Sequence, residues 1–100
     1  MPLRAVDPGT VATFPKTIDA ALMYHLDQAG VDTEVQHVLF AGGVKNMKRL
    51  ANLEDDKPGV RRVLAADFGM DATEGMQMRG YVSDVLDAWE EAKDVLQKER

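Results

Sequence analysis

The sequence contains no cysteine, and its 100 residues include only one tryptophan, two tyrosines and three phenylalanines. The absence of cysteine excludes a disulfide scaffold, a thiolate zinc site and a cysteine nucleophile. No apolar run approaches the length of about 18 residues that a membrane-spanning helix requires. The first residues lack the charged and apolar segments of a signal peptide, so we expect an intracellular protein, cytoplasmic or nuclear, with no membrane partner.

The composition is that of one small globular domain. Hydrophobic residues make up 45% of the chain and charged residues 29%, and this length supports a single core. The net charge is −5, yet residues 1–50 are balanced and residues 51–100 carry the whole surplus. Residues 45–62 contain six basic side chains against three acidic ones. The overall charge therefore does not exclude a polyanionic partner, because the middle of the chain is locally basic.

Helical periodicity predicts an all-α fold, a compact bundle of about five helices with a long C-terminal helix. Residues 1–14 hold the turn-forming Pro8-Gly9 pair and show no periodicity, so we expect an extended N-terminal arm there. A single helical-bundle domain would then occupy residues 15–100. Its first helix is predicted to begin between residues 15 and 17 and to end at Ala29, before Gly30.

Capping signals place the next helices. Thr33 and Gln36 have the spacing of a capping box at the start of the second helix, which Gly42-Gly43 ends. A short third helix, with Met47, Leu50 and Ala51 turned inward, follows the glycines. Asp55 or Asp56 is predicted to cap a fourth helix with Pro58 in its first turn, and Gly69 to end it.

The fifth helix is predicted over residues 72–98, with Asp71 and Glu74 spaced as a capping box. Gly75 and Gly80 weaken its start. Its apolar residues follow a heptad-like spacing through Met78, Val82, Val85, Trp89, Ala92 and Leu96. The width of this stripe favours packing in a bundle over dimerisation. At about 40 Å the helix would overhang a domain of this size, and the overhang would meet a partner or lead into a further segment.

These helices together predict the core. Its members are Ile18, Leu22, Leu26, Val35, Val38, Leu39, Met47, Leu50, Val60, Leu64, Phe68, Val82, Val85, Leu86, Trp89 and Ala92. On the opposite side of the last helix, a solvated outer face is predicted from Asp84, Asp87, Glu91 and Asp94.

Catalytic and metal motifs are nearly absent. The triplet Asp67-Phe68-Gly69 matches the magnesium-binding motif of protein kinases, but the other kinase motifs are missing, so we interpret Phe68 as a core residue and Gly69 as a helix stop. His25 and His37 are the only histidines; they could bind a metal if carboxylates such as Asp27 or Glu34 joined them, but nothing in their spacing requires it. We therefore expect no enzyme, no metal, no cofactor and no small-molecule substrate.

The segment 39–53 carries a resemblance to a known fold. Its short helix, Gly42-Gly43-Val44 turn and second short helix resemble the hairpin of helix-hairpin-helix and SAM-like bundles, over residues 31–96. The resemblance implies a five-helix bundle that a longer helix closes. DNA-binding hairpins read Gly-apolar-Gly, which this turn does not. Residues 41–44, 66–69 and 88–93 also look similar to an uncharacterised helical module of large protist proteins, some of mobile-element type, to which no chemistry is assigned.

Two functions follow as hypotheses. The first is a non-enzymatic protein-protein interaction or assembly module, whose partner is another protein or a second copy of the chain. The alternative is a nucleic-acid-binding module that contacts phosphates through the basic segment 45–62. The candidate contact residues for nucleic acid or a partner are Lys45, Lys48, Arg49, Arg61 and Arg62. The pattern also leaves open whether the chain belongs to a longer protein.

Overall fold

A computed structural model describes residues 6–98, and every regular element within that range is helical. The all-α prediction is confirmed. The elements are α1 (Pro8–Val11), α2 (Phe14–Thr17), α3 (Ala20–Gln28), α4 (Thr33–Ala41), α5 (Met47–Ala51), α6 (Lys57–Asp67), a 3₁₀ helix (Ala72–Glu74) and α7 (Met76–Lys98). No helix within residues 6–98 is both long enough and apolar enough to cross a membrane.

The N-terminal segment is helical where an extended arm was predicted. The amides of Val11 and Ala12 donate to the carbonyls of Asp7 and Pro8, each at 3.0 Å, and close one turn. Pro8 stands at the start of this turn, where its fixed φ and missing N–H suit a helix. The extended-arm prediction is thus wrong for residues 8–11, while residues 1–5 of that arm lie outside the described range.

The first predicted helix is divided in two. Ile18 has extended backbone angles (φ −104°, ψ 136°) between α2 and α3. Asp19 then caps α3 by accepting from the Ala21 amide at 2.9 Å, and its own amide donates to the carbonyl of Lys45 at 2.9 Å. The break is stabilised by a contact with a distant loop, which apolar spacing along the chain does not encode.

The start of α4 uses a different cap from the predicted one. Asp32, not Thr33, is the cap, and its carboxylate accepts from the Glu34 amide at 2.9 Å. The predicted partner Gln36 is buried and donates from Nε2 to the Val31 carbonyl at 2.9 Å and to Asp27 Oδ1 at 2.8 Å. The capping-box prediction is wrong because this side chain joins α4 to the end of α3.

The predicted third and fourth helices are confirmed. Asp56 caps α6 by accepting from the Gly59 amide at 2.8 Å, and Pro58 lies in the first turn. Gly69 has a φ of 70° directly after α6, the left-handed conformation that favours glycine at a helix end.

An apolar residue follows the left-handed glycine at three helix ends, and each is buried. After α3, the amides of Gly30 and Val31 donate to Asp27 and Leu26, as in a Schellman motif. The end of α4 repeats this pattern: the Gly43 amide donates to the Phe40 carbonyl, and the Val44 amide donates to the Leu39 carbonyl. At the end of α6 the Met70 amide donates to the Leu64 carbonyl at 2.9 Å. These bonds place Val31, Val44 and Met70 in the core.

The long helix begins later than predicted. Asp71 caps the 3₁₀ helix instead, and Gly75, with a φ of 136°, separates that helix from α7. The 23 residues of α7 span about 34 Å, against a longest dimension of 40 Å for the whole molecule. Its buried residues extend from Met78 to Ala92, and the half-buried Leu96 also packs against the core cluster.

The core forms one cluster around α7. The 3₁₀ helix, α3, α5 and α6 all pack on this helix. Every predicted core residue is buried except Met47, which is half-buried against the cluster. The cluster also contains residues beyond the predicted set: Phe14, Val31, Phe40, Val44, Ala51, Met70, Met78 and Ala88.

Replacing Met70 by alanine should destabilise the fold, because Met70 is fully buried and the substitution leaves a cavity. We expect Met70→Ala to lower the free energy of unfolding by about 2–5 kcal/mol in urea titrations followed by circular dichroism. Met76→Ala is the matched control, since Met76 is 76% exposed, and its effect should stay within about 0.5 kcal/mol. Equal effects of the two substitutions would contradict the burial assigned to Met70.

Candidate functional site

An open groove with a volume of about 780 Å³ lies between the α4–α5 turn, α5 and α6. We call it the α5–α6 groove. It is lined by Gly42, Gly43, Val44, Asn46, Lys48, Arg49, Asn52, Leu53, Val63, Asp67 and Phe68. The turn that suggested a helical hairpin from the sequence therefore forms one wall of the groove.

Close contact between Gly42 and Phe68 shapes this wall. A Cβ atom placed on Gly42 would lie 2.1 Å from Cε1 of Phe68, so only a residue without a side chain fits under the ring. Phe68 is 5% exposed and directly follows α6. The contact therefore brings the end of α6 against the end of α4, and both residues line the groove.

The groove combines apolar and charged side chains. Its apolar part includes the half-buried Leu53 and Val63 beside Phe68. Lys48 and Arg49 are exposed on α5 and form no ion pair within residues 6–98. The salt bridges within that range lie elsewhere, between Lys57 and Glu90 at 2.8 Å and between Asp94 and Lys98 at 3.1 Å.

Two asparagines hold α5 in place at the groove. Asn46 caps the helix through Oδ1, which accepts from the Arg49 amide at 2.8 Å. Asn52 ends it by donating from Nδ2 to the Lys48 carbonyl at 2.8 Å. Both bonds fix the backbone that carries the two cations, so a five-residue helix has a defined orientation.

The structure brings two of the five predicted contact residues into the groove, Lys48 and Arg49. Lys45 is exposed in the preceding turn, and its carbonyl accepts the Asp19 amide. Arg61 and Arg62 are exposed on α6. At 100° per residue they point about 160° and about 100° away from the groove-lining Val63.

A smaller cavity of about 320 Å³ adjoins the groove and shares Gly42, Asp67 and Phe68 with it. Val6, Asp7 and Thr10 line its other side, next to α1. Asp67 is thus the carboxylate at the junction of the two cavities. Of the kinase-like triplet, Asp67 lines the groove. Phe68 is a core residue and Gly69 is the left-handed glycine after α6, as the sequence analysis interpreted them.

The histidines make structural contacts on separate elements. His25 on α3 hydrogen-bonds through Nε2 to the Ala88 carbonyl of α7 at 2.8 Å. His37 on α4 lies with its ring centroid 5.6 Å from that of Phe14. Within residues 6–98, no group of three or more metal-ligating side chains is gathered in one place.

The acidic residues that predicted a solvated outer face lie on α7. Asp87, Glu91 and Asp94 are exposed and Asp84 is half-buried. Burial raises the pKa of the Asp84 carboxyl, and repulsion from Asp87 adds to the effect. At Asp71, hydrogen bonds from the Thr73 hydroxyl and amide lower the pKa of the carboxyl.

The groove places charged side chains beside apolar surface. Its titratable side chains are two cations and one carboxylate. Exposed cations beside apolar surface can hold an anionic group while a neighbouring side chain is buried.

Comparison of the chain with protein families, with curated proteins and with solved structures finds no match. The geometry and charge of the α5–α6 groove are therefore the features from which a function can be inferred.

Adding a methyl group at Gly42 should displace the Phe68 ring and destabilise the fold. We expect Gly42→Ala to cost about 1–3 kcal/mol, because the ring is buried and has little room to shift. Gly80→Ala is the control: nothing lies within 4 Å of its new methyl group, and it should stabilise α7 by up to about 1 kcal/mol. Thermal melts followed by circular dichroism would measure both, and a Gly42→Ala variant as stable as the parent would refute the close contact.

Asp84 should make stability depend on pH. Because its folded-state pKa is raised, the ionised carboxyl opposes folding above that pKa, and the opposition disappears as the pH falls below the ordinary value of 3.8. We expect Asp84→Asn to melt at a higher temperature than the parent at pH 7. This difference in melting temperature should disappear toward pH 3. The control Glu91→Gln changes an exposed carboxyl on the same helix. A difference in melting temperature between Asp84→Asn and the parent that stays constant with pH would contradict the raised pKa of Asp84.

Proposed function

We propose that this chain is a non-enzymatic protein-interaction module, and that the α5–α6 groove receives a segment of a partner protein. The lining of the groove carries the proposal. It places Lys48 and Arg49, which form no ion pair with any residue from 6 to 98, beside Leu53 and Val63 in an open cleft of about 780 Å³. Clefts of this size that join apolar surface to a few polar groups are typical binding sites.

A protein partner fits the groove better than nucleic acid does. Only two of the five candidate cations line it, so few phosphates could be neutralised there. Asp67 would repel a phosphate backbone along the same groove. Phe68 is 5% exposed and offers no open ring face on which a base could stack. These three features favour the protein-interaction hypothesis over its nucleic-acid alternative.

The proposal does not require an overhanging helix. From the sequence, a partner was expected because α7 would project beyond the body. In the structure α7 spans about 34 Å in a molecule whose longest dimension is 40 Å. The groove, by contrast, lies where the hairpin turn meets α6, and its cations are exposed to solvent.

We also propose a relationship to helix-hairpin-helix and SAM-like bundles. Two features support it: the short helices α4 and α5 joined by a glycine turn, and a longer helix, α7, on which several shorter ones pack. The turn keeps its Gly42-Gly43-Val44 order, and Gly43 is the left-handed residue. The proposed relationship concerns architecture and transfers no functional residue.

The proposed function can be tested with a photo-crosslinking amino acid placed in the groove. Incorporation at Asn52, an exposed groove residue, should yield covalent adducts with protein when the chain is expressed in its source cells and irradiated. The control position is Glu91 on the outer face of α7, which should not give the same adducts. Protease-sensitive adducts confined to Asn52 are expected.

Two outcomes would contradict the proposal. Nuclease-sensitive adducts at Asn52 would favour the nucleic-acid alternative. Identical adducts at Asn52 and Glu91 would mean that the groove does not select a partner. Circular dichroism spectra that match those of the parent would show that each labelled chain is folded.

A further inference from the structure

We infer that the segment bound in the α5–α6 groove is acidic at one end and apolar next to it. Its carboxylate would pair with Lys48 and Arg49, and its apolar side chain would pack against Leu53 and Val63. This inference rests on the proposed function and specifies the chemistry of the partner at the same site. It commits to a short segment of another protein as the occupant.

Charge complementarity is the first argument. Lys48 and Arg49 are adjacent on α5, both are exposed, and neither is in an ion pair with another residue in the range 6–98. A guanidinium can hold a carboxylate through two parallel hydrogen bonds, and a neighbouring ammonium adds a second positive charge. The α5 side of the groove is therefore the end that attracts an acidic residue.

The opposite side of the groove has the opposite charge. Asp67 follows Val63 by one helical turn on α6 and lies at the junction with the smaller cavity. A second carboxylate of the ligand would be repelled there. The groove thus has a polarity, from positive at α5 to negative at Asp67, and a bound segment would lie with its acidic end toward α5.

Apolar surface lines the same groove as these charged side chains. Leu53 follows α5 and Val63 lies on α6, and both are half-buried, so part of each side chain is open to solvent. Covering this surface with an aliphatic or aromatic side chain removes it from water. The ligand would then carry its apolar residue close to its acidic residue, because both sets of side chains line one groove.

Selection from a random peptide library displayed on phage, with the whole chain as bait, tests the inference. Enriched peptides should carry Asp or Glu near Leu, Ile, Val or Phe. A selected peptide with a fluorescent label should bind the purified chain in anisotropy titrations, more weakly as salt increases. The double variant Lys48→Glu/Arg49→Glu should reduce its affinity about tenfold or more, since attraction becomes repulsion.

The matched control is Arg61→Glu/Arg62→Glu, which makes the same change of charge on exposed residues outside the groove lining. Its effect should be about twofold or less, because both side chains point away from the groove-lining Val63 around α6 and salt weakens the action of exposed charges. Lys48→Ala/Arg49→Ala, which reverses no charge, should give an intermediate loss. Matching circular dichroism spectra and melting temperatures would establish that all three variants are folded.

Several results would overturn the inference. Enriched peptides that are basic or purely apolar would refute the acidic chemistry, and so would equal losses in the groove variant and its control. Failure to enrich any peptide would also count against it. None of these results contradicts the proposed function, which photo-crosslinking at Asn52 decides separately. Tight binding of a labelled single-stranded oligonucleotide that depends on Lys48 and Arg49 would overturn both.

Discussion

The burial of one face of α7 is the interaction on which the rest of this structure depends. A single helix is marginally stable in water, and helices gain most of their stability in proteins by packing an apolar face. Here the 3₁₀ helix, α3, α5 and α6 all pack on α7, and Val85, Ala88 and Ala92 have no exposed surface. The short α5, with five residues, has no independent stability and owes its position to this packing. The groove therefore exists because α5 and α6 share α7 as a common support.

A second constraint acts at the helix ends. Left-handed glycines end α3, α4 and α6, and the apolar residue after each one turns back into the core. This arrangement makes each connection part of the hydrophobic cluster, so the turns have defined positions. At the end of α4 it has a functional consequence. Val44 is anchored below the turn, Gly42 lies under the Phe68 ring, and the backbone between α4 and α5 becomes a fixed wall of the groove.

The local signals of this chain were sufficient to place α5 and α6. A short helix after Gly42-Gly43, a cap at Asp55 or Asp56 and nearly all of the predicted core could be predicted from spacing and turn chemistry. The break between α2 and α3 could not, because the bond from the Asp19 amide to the Lys45 carbonyl joins residues far apart in sequence. Gln36 was misassigned for a similar reason, since its side chain bonds to the end of α3. The pattern of glycine followed by an apolar residue was available in the sequence, and it would have identified Val31 and Met70 as core residues.

The candidate site shows how far charge alone can be used. Six basic residues between positions 45 and 62 suggested one basic surface, but their directions depend on the helices that carry them. Arg61 points about 160° away from Val63 around α6, while Lys48 and Arg49 project from α5 into the groove. A chain with a net charge of −5 can therefore present a small positive site to an acidic segment, and its overall charge disfavours long polyanions at the same time.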